Sequence, residues 1–132
     1  MNIVLKKYTD ARNALNTLEE ILSLDHSLIQ RDASLQRFEY TVEAVWKCLK
    51  IYLETQEGIT CVSPKACFRE AKNIGILSDE GCELTLNMVD DRNLTTHTYH
   101  AELAERIYAH LKEYAAIMKN ILDYVRKNID GC

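Results

Sequence analysis

Between Asp90 and His100 the chain reads Asp90-Asp91-Arg92-Asn93-Leu94-Thr95-Thr96-His97-Thr98-Tyr99-His100, eleven residues with a single aliphatic side chain. A plain connector can be much shorter than this. Arg92, His97 and Tyr99 fall within eight positions of one another. Arginine brings a planar, permanent positive charge that matches phosphate oxygens. Histidine exchanges a proton near neutral pH. If the segment is a helix end followed by a cap, Arg92 and His97 project into one groove and can hold a phosphodiester while moving a proton. Such chemistry needs no metal and no cofactor.

Spacing alone is a weak signal, because an Arg followed by a His at this distance arises easily by chance. On that ground the simpler reading of Arg92 is an ion pair with Asp90 or Asp91 that ties down a helix end. His97 read alone is a capping or hydrogen-bonded residue, and Tyr99 read alone is packing at a helix start. The longer pattern, Arg-Asn-x-x-x-His-x-Tyr at the mouth of a last helix, is far more specific. His100 falls near the cap of that helix, His110 on its polar side and His26 in a loop; none is assigned a role.

The elements that must position these residues are helical. Apolar residues recur at helical spacing in Leu5, Tyr8, Leu15, Leu18 and Leu22, then in Phe38, Val42, Val45, Leu49 and Leu53. Gly58 stops the second helix. Ser63 and Pro64 open a third as N-cap and first residue, ending near Gly75. Ser78 or Asp79 caps a fourth that runs through Leu84 and Met88 toward Arg92. The last and longest carries Leu103, Ile107, Leu111, Tyr114, Met118, Ile121 and Val125 on one face. The expected fold is all-α: an up-and-down antiparallel bundle of three long and two shorter helices, one domain over residues 1–132. Trp46, Tyr40, Tyr52, Tyr108 and Tyr114 are expected in the core or a dimer interface, not on a nucleotide-stacking surface. Arg37 and Lys47 are expected on solvated surface, with Arg69 a weaker candidate for the cleft.

Composition narrows the classes. The 132 residues carry 16 Lys and Arg against 20 Asp and Glu, and 47% are hydrophobic. Four glycines and one proline are too few for a sandwich of many short strands. The apolar fraction is too high for disorder. A net charge of −4 argues against a broad nucleic-acid footprint, DNA in particular. No run approaches a membrane span, and the first residues do not read as a secretory signal. Cys48, Cys61, Cys67, Cys82 and Cys132 are odd in number and irregular in spacing, which predicts reduced thiols, a cytoplasmic location and no zinc site.

The chain resembles the HEPN superfamily, in its HepT-like branch of nucleotidyltransferase substrate-binding proteins. The resemblance spans nearly the whole chain. It rests on Arg37-Phe38-Glu39-Tyr40-Thr41-Val42-Glu43 with Trp46-Lys47 and Leu49-Lys50, on Ser63-Pro64 with Arg69-Glu70-Ala71, and on Gly75-Ile76-Leu77. Its most specific part is Asp91-Arg92-Asn93-Leu94-Thr95-Thr96-His97-Thr98-Tyr99, which carries the family's Arg-x4-His-x-Tyr motif in full.

The resemblance implies a homodimeric helical bundle paired with a minimal nucleotidyltransferase as toxin and antitoxin. The bundle is then a metal-independent endoribonuclease acting on RNA, and the partner silences it by adding AMP to the motif tyrosine. Carried onto this chain, Arg92 and His97 are catalytic, Tyr99 is modified, and Asp91 and Asn93 support them. Against a nuclease stands the run from Asp79 to Asp91, which holds five acidic residues and no Lys or Arg. A non-catalytic subunit that docks or regulates the nucleotidyltransferase tolerates such a surface more easily. A purely structural dimerisation module leaves the polar segment unexplained.

Overall fold

The computed structural model of the chain describes residues 2–129. Its elements are α1 (Ile3–Leu22), α2 (Leu28–Gln56), α3 (Pro64–Asn73), α4 (Asp79–Asn93), a 3₁₀ turn (Thr95–His97), α5 (Ala101–Tyr108) and α6 (Leu111–Asn128), with no strand among the described residues. The helices start where short polar side chains can take up the orphan N–H groups of a first turn. Asn2 accepts from the amides of Val4 and Leu5, Ser27 from Gln30, Ser63 from Ala66 and Ser78 from Gly81. Gly58 and Gly75 follow α2 and α3 with φ of 68° and 89°, a conformation that costs other residues a steric clash.

The central helix is α2, which touches α1, α3, α4, α5 and α6. Its buried stripe includes Phe38, Val42, Val45, Leu49 and Leu53, packed with Leu15 and Leu18 of α1, Phe68 of α3, Met88 of α4, Ile107 of α5 and Met118 and Ile121 of α6. Each such side chain contributes roughly 1.5–3 kcal/mol on leaving water. This core fixes the last turn of α4 against the middle of α2.

The helices differ from the expectation in two places. First, α2 begins at Leu28, well before the apolar stripe starts at Phe38, and it is the longest helix. The extra turns bury Gln30, Arg31 and Ser34, polar residues that break the apolar pattern but are all paired. The Gln30 amide donates to the Ile21 carbonyl, Arg31 pairs with Glu105 at 3.1 Å, and Ser34 donates to the Gln30 carbonyl. Second, the expected last helix is two helices, α5 and α6, broken at Ala109 and His110. The apolar stripe runs through the break, with Ile107 and Leu111 both fully buried, so periodicity alone shows one helix. Tertiary contacts set the bend. α5 is tied to the start of α2 through Arg31–Glu105 and Tyr108–Gln30, whereas α6 packs along α1 and α2. His26, to which spacing assigns no role, stacks on Tyr108 at 4.6 Å and adds to the same tie.

The cysteines also depart from the expectation of reduced thiols. Cys61 and Cys67 form a disulfide across the start of α3, with their Cα atoms 5.4 Å apart. The pairing is not legible in the sequence because the two lie six positions apart and no motif marks them. Cys48 and Cys82 are free and buried, and burial pushes the Cys48 thiol up to about 12, which keeps it inert. Cys132 lies outside the described residues. Among the described residues no helix is long and apolar enough to cross a membrane.

Candidate functional site

The polar segment is built as a helix end, a tight turn and a new helix start. α4 stops at Asn93, the Leu94 amide bonds back to the Asp91 carbonyl, and the 3₁₀ turn follows. Thr95 is buried in that turn and donates its hydroxyl to the Arg92 carbonyl and to Glu39 Oε2, at 2.7 and 2.8 Å. The turn is therefore anchored to α2 at one point. His97 and Tyr99 emerge beyond the anchor, both exposed, Tyr99 at 77%. Their ring centroids lie 6.2 Å apart, and His100 stacks obliquely on Tyr99 at 4.3 Å. Among the described residues neither the His97 nor the Tyr99 side chain makes a hydrogen bond or an ion pair.

Arg92 occupies the last turn of α4 and reaches toward α2. Its Nη2 lies 3.0 Å from Glu43 Oε1, so its partner is neither Asp90 nor Asp91. Glu39 and Glu43 stand one helical turn apart on α2, and the pair grips both the turn and the guanidinium. Lys47, a further turn along, lies 3.5 Å from Glu43. Arg92 lines two shallow grooves. Glu43 borders both, with Gln36, Glu39 and Tyr40 in one and Trp46, Ser63, Lys65, Asp90 and Asn93 in the other. Nε of Arg92 and Nε1 of Trp46 are the two buried side-chain polar atoms without a hydrogen-bond partner among the described residues. Each unmet donor costs about 1–3 kcal/mol.

The sequence candidates thus separate. Arg92 and Asn93 share a groove; His97 and Tyr99 share the exposed turn. No hydrogen bond or ion pair joins Arg92 to His97 among the described residues. Asp91 faces elsewhere: it is buried, its Oδ2 accepting from Tyr114 at 2.6 Å and its Oδ1 from Arg106 at 3.3 Å. Burial, then that hydrogen bond to Asp91, push the Tyr114 phenol well above its ordinary value. Arg69 is exposed on α3, and no hydrogen bond or ion pair joins it to these residues among the described residues. Spacing did not single out Glu39, Glu43, Trp46 or Lys65. The first three lie in the stretch of α2 that carries the family resemblance, and the i,i+4 spacing of the two glutamates was the available signal.

Three acids of the acidic run pair with cations other than Arg92, although Asp90 lines a groove with it. Asp79 pairs with Lys72 at 3.5 Å, Asp90 with Lys65 at 2.7 Å and Asp91 with Arg106. Asp79 and Glu80 sit at the far end of α4, about 20 Å from Arg92 by helical rise. That exceeds the Debye length of about 8 Å in physiological salt, so their field at Arg92 is screened. The acid that matters is Glu43. Among the described residues no group of three or more His, Cys, Asp or Glu side chains is arranged as a metal would require.

Comparison with known proteins adds the following. Residues 6–127 match the family described as nucleotidyltransferase substrate binding protein like. A crystal structure of a Thermus thermophilus protein is 49% identical, with a TM-score of 0.85, and covers 88% of this chain and 98% of that one. The probable ribonuclease HepT of Haemophilus influenzae is 28% identical over 71% of this chain and 66% of its own length, just under two-thirds of that protein. A tri-AMPylated HEPN toxin of Shewanella oneidensis, solved in complex with an MNT antitoxin, shares the fold at a TM-score of 0.75 with 12% identity, covering 96% of this chain and 99% of that one.

Proposed function

This chain belongs to the nucleotidyltransferase substrate binding protein like family, the HepT-like branch of the HEPN superfamily, and from that premise we propose that it is the HepT-like member of a toxin–antitoxin pair, a metal-independent endoribonuclease silenced by AMP addition to Tyr99. The observation that carries this reading is the state of the motif: His97 and Tyr99 stand exposed and unpaired on a turn anchored beside Arg92. Structural histidines and tyrosines find partners; these two are presented to solvent.

In the proposed reaction His97 takes the proton of a ribose 2′-hydroxyl, and the 2′-oxygen attacks the adjacent phosphorus. The bond to the 5′-oxygen breaks, and that oxygen leaves with a proton. Arg92 holds the charge that builds on the phosphate. One chain offers one motif histidine, so base and acid together call for a twofold homodimer with both motifs facing one cleft. The relative's name as a ribonuclease supports the activity, and the AMPylated toxin with its antitoxin supports the switch and the minimal nucleotidyltransferase as partner. In the switch the Tyr99 hydroxyl attacks the α-phosphate of ATP and pyrophosphate leaves. A bulky anion then stands where RNA must enter.

A second reading, a non-catalytic subunit that docks the nucleotidyltransferase, is favoured by one contact: Arg92 is already neutralised by Glu43. One experiment separates the two. Expressed alone, the wild-type chain should arrest growth, and His97→Ala should abolish arrest and lower RNA cleavage about 10²–10⁴-fold. Incubation with the partner and ATP should add about 329 Da per AMP at a tyrosine hydroxyl, and Tyr99→Phe should remove that increment. Equal growth of wild type and His97→Ala would sink the nuclease and leave the docking subunit.

A further inference from the structure

We propose that His100 positions Tyr99 for AMP addition by holding the phenol ring against its own imidazole. This rests on the reading of Tyr99 as the modified residue and supplies what that reading lacks, a restraint on an otherwise free side chain. Tyr99 is 77% exposed, and its hydroxyl has no hydrogen-bond partner among the described residues. Exposed side chains change rotamer within picoseconds to nanoseconds. A nucleophile reacts fastest when it is held close to its attacking geometry. What restrains Tyr99 is a pair of rings, His100 tilted against it at 4.3 Å and His97 edge-on at 6.2 Å.

Adjacent side chains do not meet by default, since they point about 100° apart on a helix and to opposite faces of a strand. Here the backbone bends between them: the 3₁₀ turn ends before Tyr99, and His100 is extended, with φ −80° and ψ 110°. His100 is fixed on both sides. Its amide donates to the His97 carbonyl at 3.1 Å, and its carbonyl accepts from the Ala104 amide at 3.0 Å. α5 is in turn tied to α2 by Arg31–Glu105 and Tyr108–Gln30, so the imidazole stands on backbone that the bundle holds. His100 occupies the N-cap position of α5 yet makes no cap bond, whereas Asn2, Ser27, Ser63 and Ser78 cap α1 to α4. Among the described residues its side chain has no hydrogen bond or ion pair; its ring is spent on Tyr99. Tilted ring pairs at about this separation attract. The stack narrows the arc over which the hydroxyl swings and leaves that hydroxyl, at the far end of the ring, open to the partner. In the transfer the Tyr99 oxygen bonds the α-phosphorus of ATP, and the bond from that phosphorus to the bridging oxygen breaks. Pyrophosphate leaves with the electron pair, and the hydroxyl proton passes to solvent. His100 takes no part in these bonds; it is a positioning residue.

The test follows AMP transfer by mass to the full chain, made by cell-free synthesis so that it is unmodified, with the partner nucleotidyltransferase and ATP. Three substitutions separate stacking from capping. His100→Phe keeps a flat ring and loses both nitrogens, His100→Asn gives α5 a better cap and no ring, and His100→Ala gives neither. The rate at saturating ATP should be kept in His100→Phe and should fall about tenfold in His100→Asn and His100→Ala. The ATP concentration at half the maximal rate should stay unchanged in all three, because the partner binds the nucleotide. If wild type gains AMP on Tyr99 and His100→Asn or His100→Ala gains it as fast, the ring is not needed and the inference is overturned while the modification stands. A His100→Phe as slow as His100→Ala overturns it as well, because stacking alone then does not suffice. An effect confined to the ATP concentration would place His100 at the nucleotide, which also overturns it. If wild type gains no AMP, or Tyr99→Phe gains as much, the modified residue itself is wrong and the inference falls with it.

Discussion

Asp91 and Arg92 are consecutive residues on the last turn of α4, and the structure treats them in opposite ways. Asp91 is buried, and each of its oxygens accepts one hydrogen bond, from Tyr114 and from Arg106. Arg92 is partly open, holds one ion pair to Glu43 and leaves its Nε unmatched. One side of the turn is a closed network, and the other is incomplete. Closed polar networks rigidify a fold, whereas an unmet donor is a cost that persists where something else completes it. The comparison makes Asp91 a stabilising residue and, under the proposed function, leaves Arg92 to act on a ligand, although the two are neighbours in sequence.

The largest effect that tests this is on folding. Asp91→Ala strands the Tyr114 hydroxyl in the core and frees Arg106, and should cost about 1–3 kcal/mol in urea or thermal unfolding. Arg92→Ala removes a partly exposed ion pair worth about 0–1 kcal/mol, and it also removes an unmatched N–H. Its stability should change little while RNA cleavage is lost. Equal destabilisation by the two substitutions would erase the distinction.

The same contrast explains what could be read from the sequence. Helix starts at Ser63 and Ser78 and the stop at Gly58 were legible because caps act over three or four residues. The apolar faces of α1 and of the second half of α2 were legible for the same local reason. The start of α2 was hidden because Gln30, Arg31 and Ser34 are buried through partners as distant as Glu105 and Tyr108. The motif residues stand out in the sequence, but their partners do not. Arg92 lies next to two aspartates in sequence yet bonds Glu43 on another helix, and no pattern of spacing fixes which helix packs there. Glu39, Trp46 and the Cys61–Cys67 disulfide were missed for the same reason: their roles are tertiary.

A smaller effect lies within the closed side. Tyr114→Phe deletes one bond to Asp91 and should cost about 1 kcal/mol at neutral pH. It should also change the alkaline limb. The Tyr114 phenol is raised above its ordinary 10.0, first by burial and then by Asp91. A group raised on folding stabilises fully below its unfolded value, and that contribution is lost as pH climbs through the folded one. Between the two values wild-type stability should fall with pH by about 1.4 kcal/mol per unit for this proton. Tyr114→Phe should flatten that slope, leaving the share of Tyr52, whose phenol is raised by burial in the same way. An unchanged slope would show that water reaches Tyr114.

The smallest expected change in stability is on the open side, where it is most informative about binding. Glu43→Gln removes the charge that neutralises Arg92 and keeps the shape of the side chain. Both partners are about one-third exposed, so unfolding should shift by less than about 1 kcal/mol in either direction. If Glu43 holds Arg92 in reserve, the freed guanidinium should tighten binding of a single-stranded oligoribonucleotide to the His97→Ala protein. The dependence of log K on log salt should steepen by about 0.7, the value for one further phosphate contact on a single strand. Lys47 also borders Glu43, so the double substitution with Lys47→Gln separates its share from that of Arg92. Weaker binding in Glu43→Gln would reverse the assignment, because the glutamate would then aim Arg92 at the phosphate, and the open side would be as preorganised as the closed one.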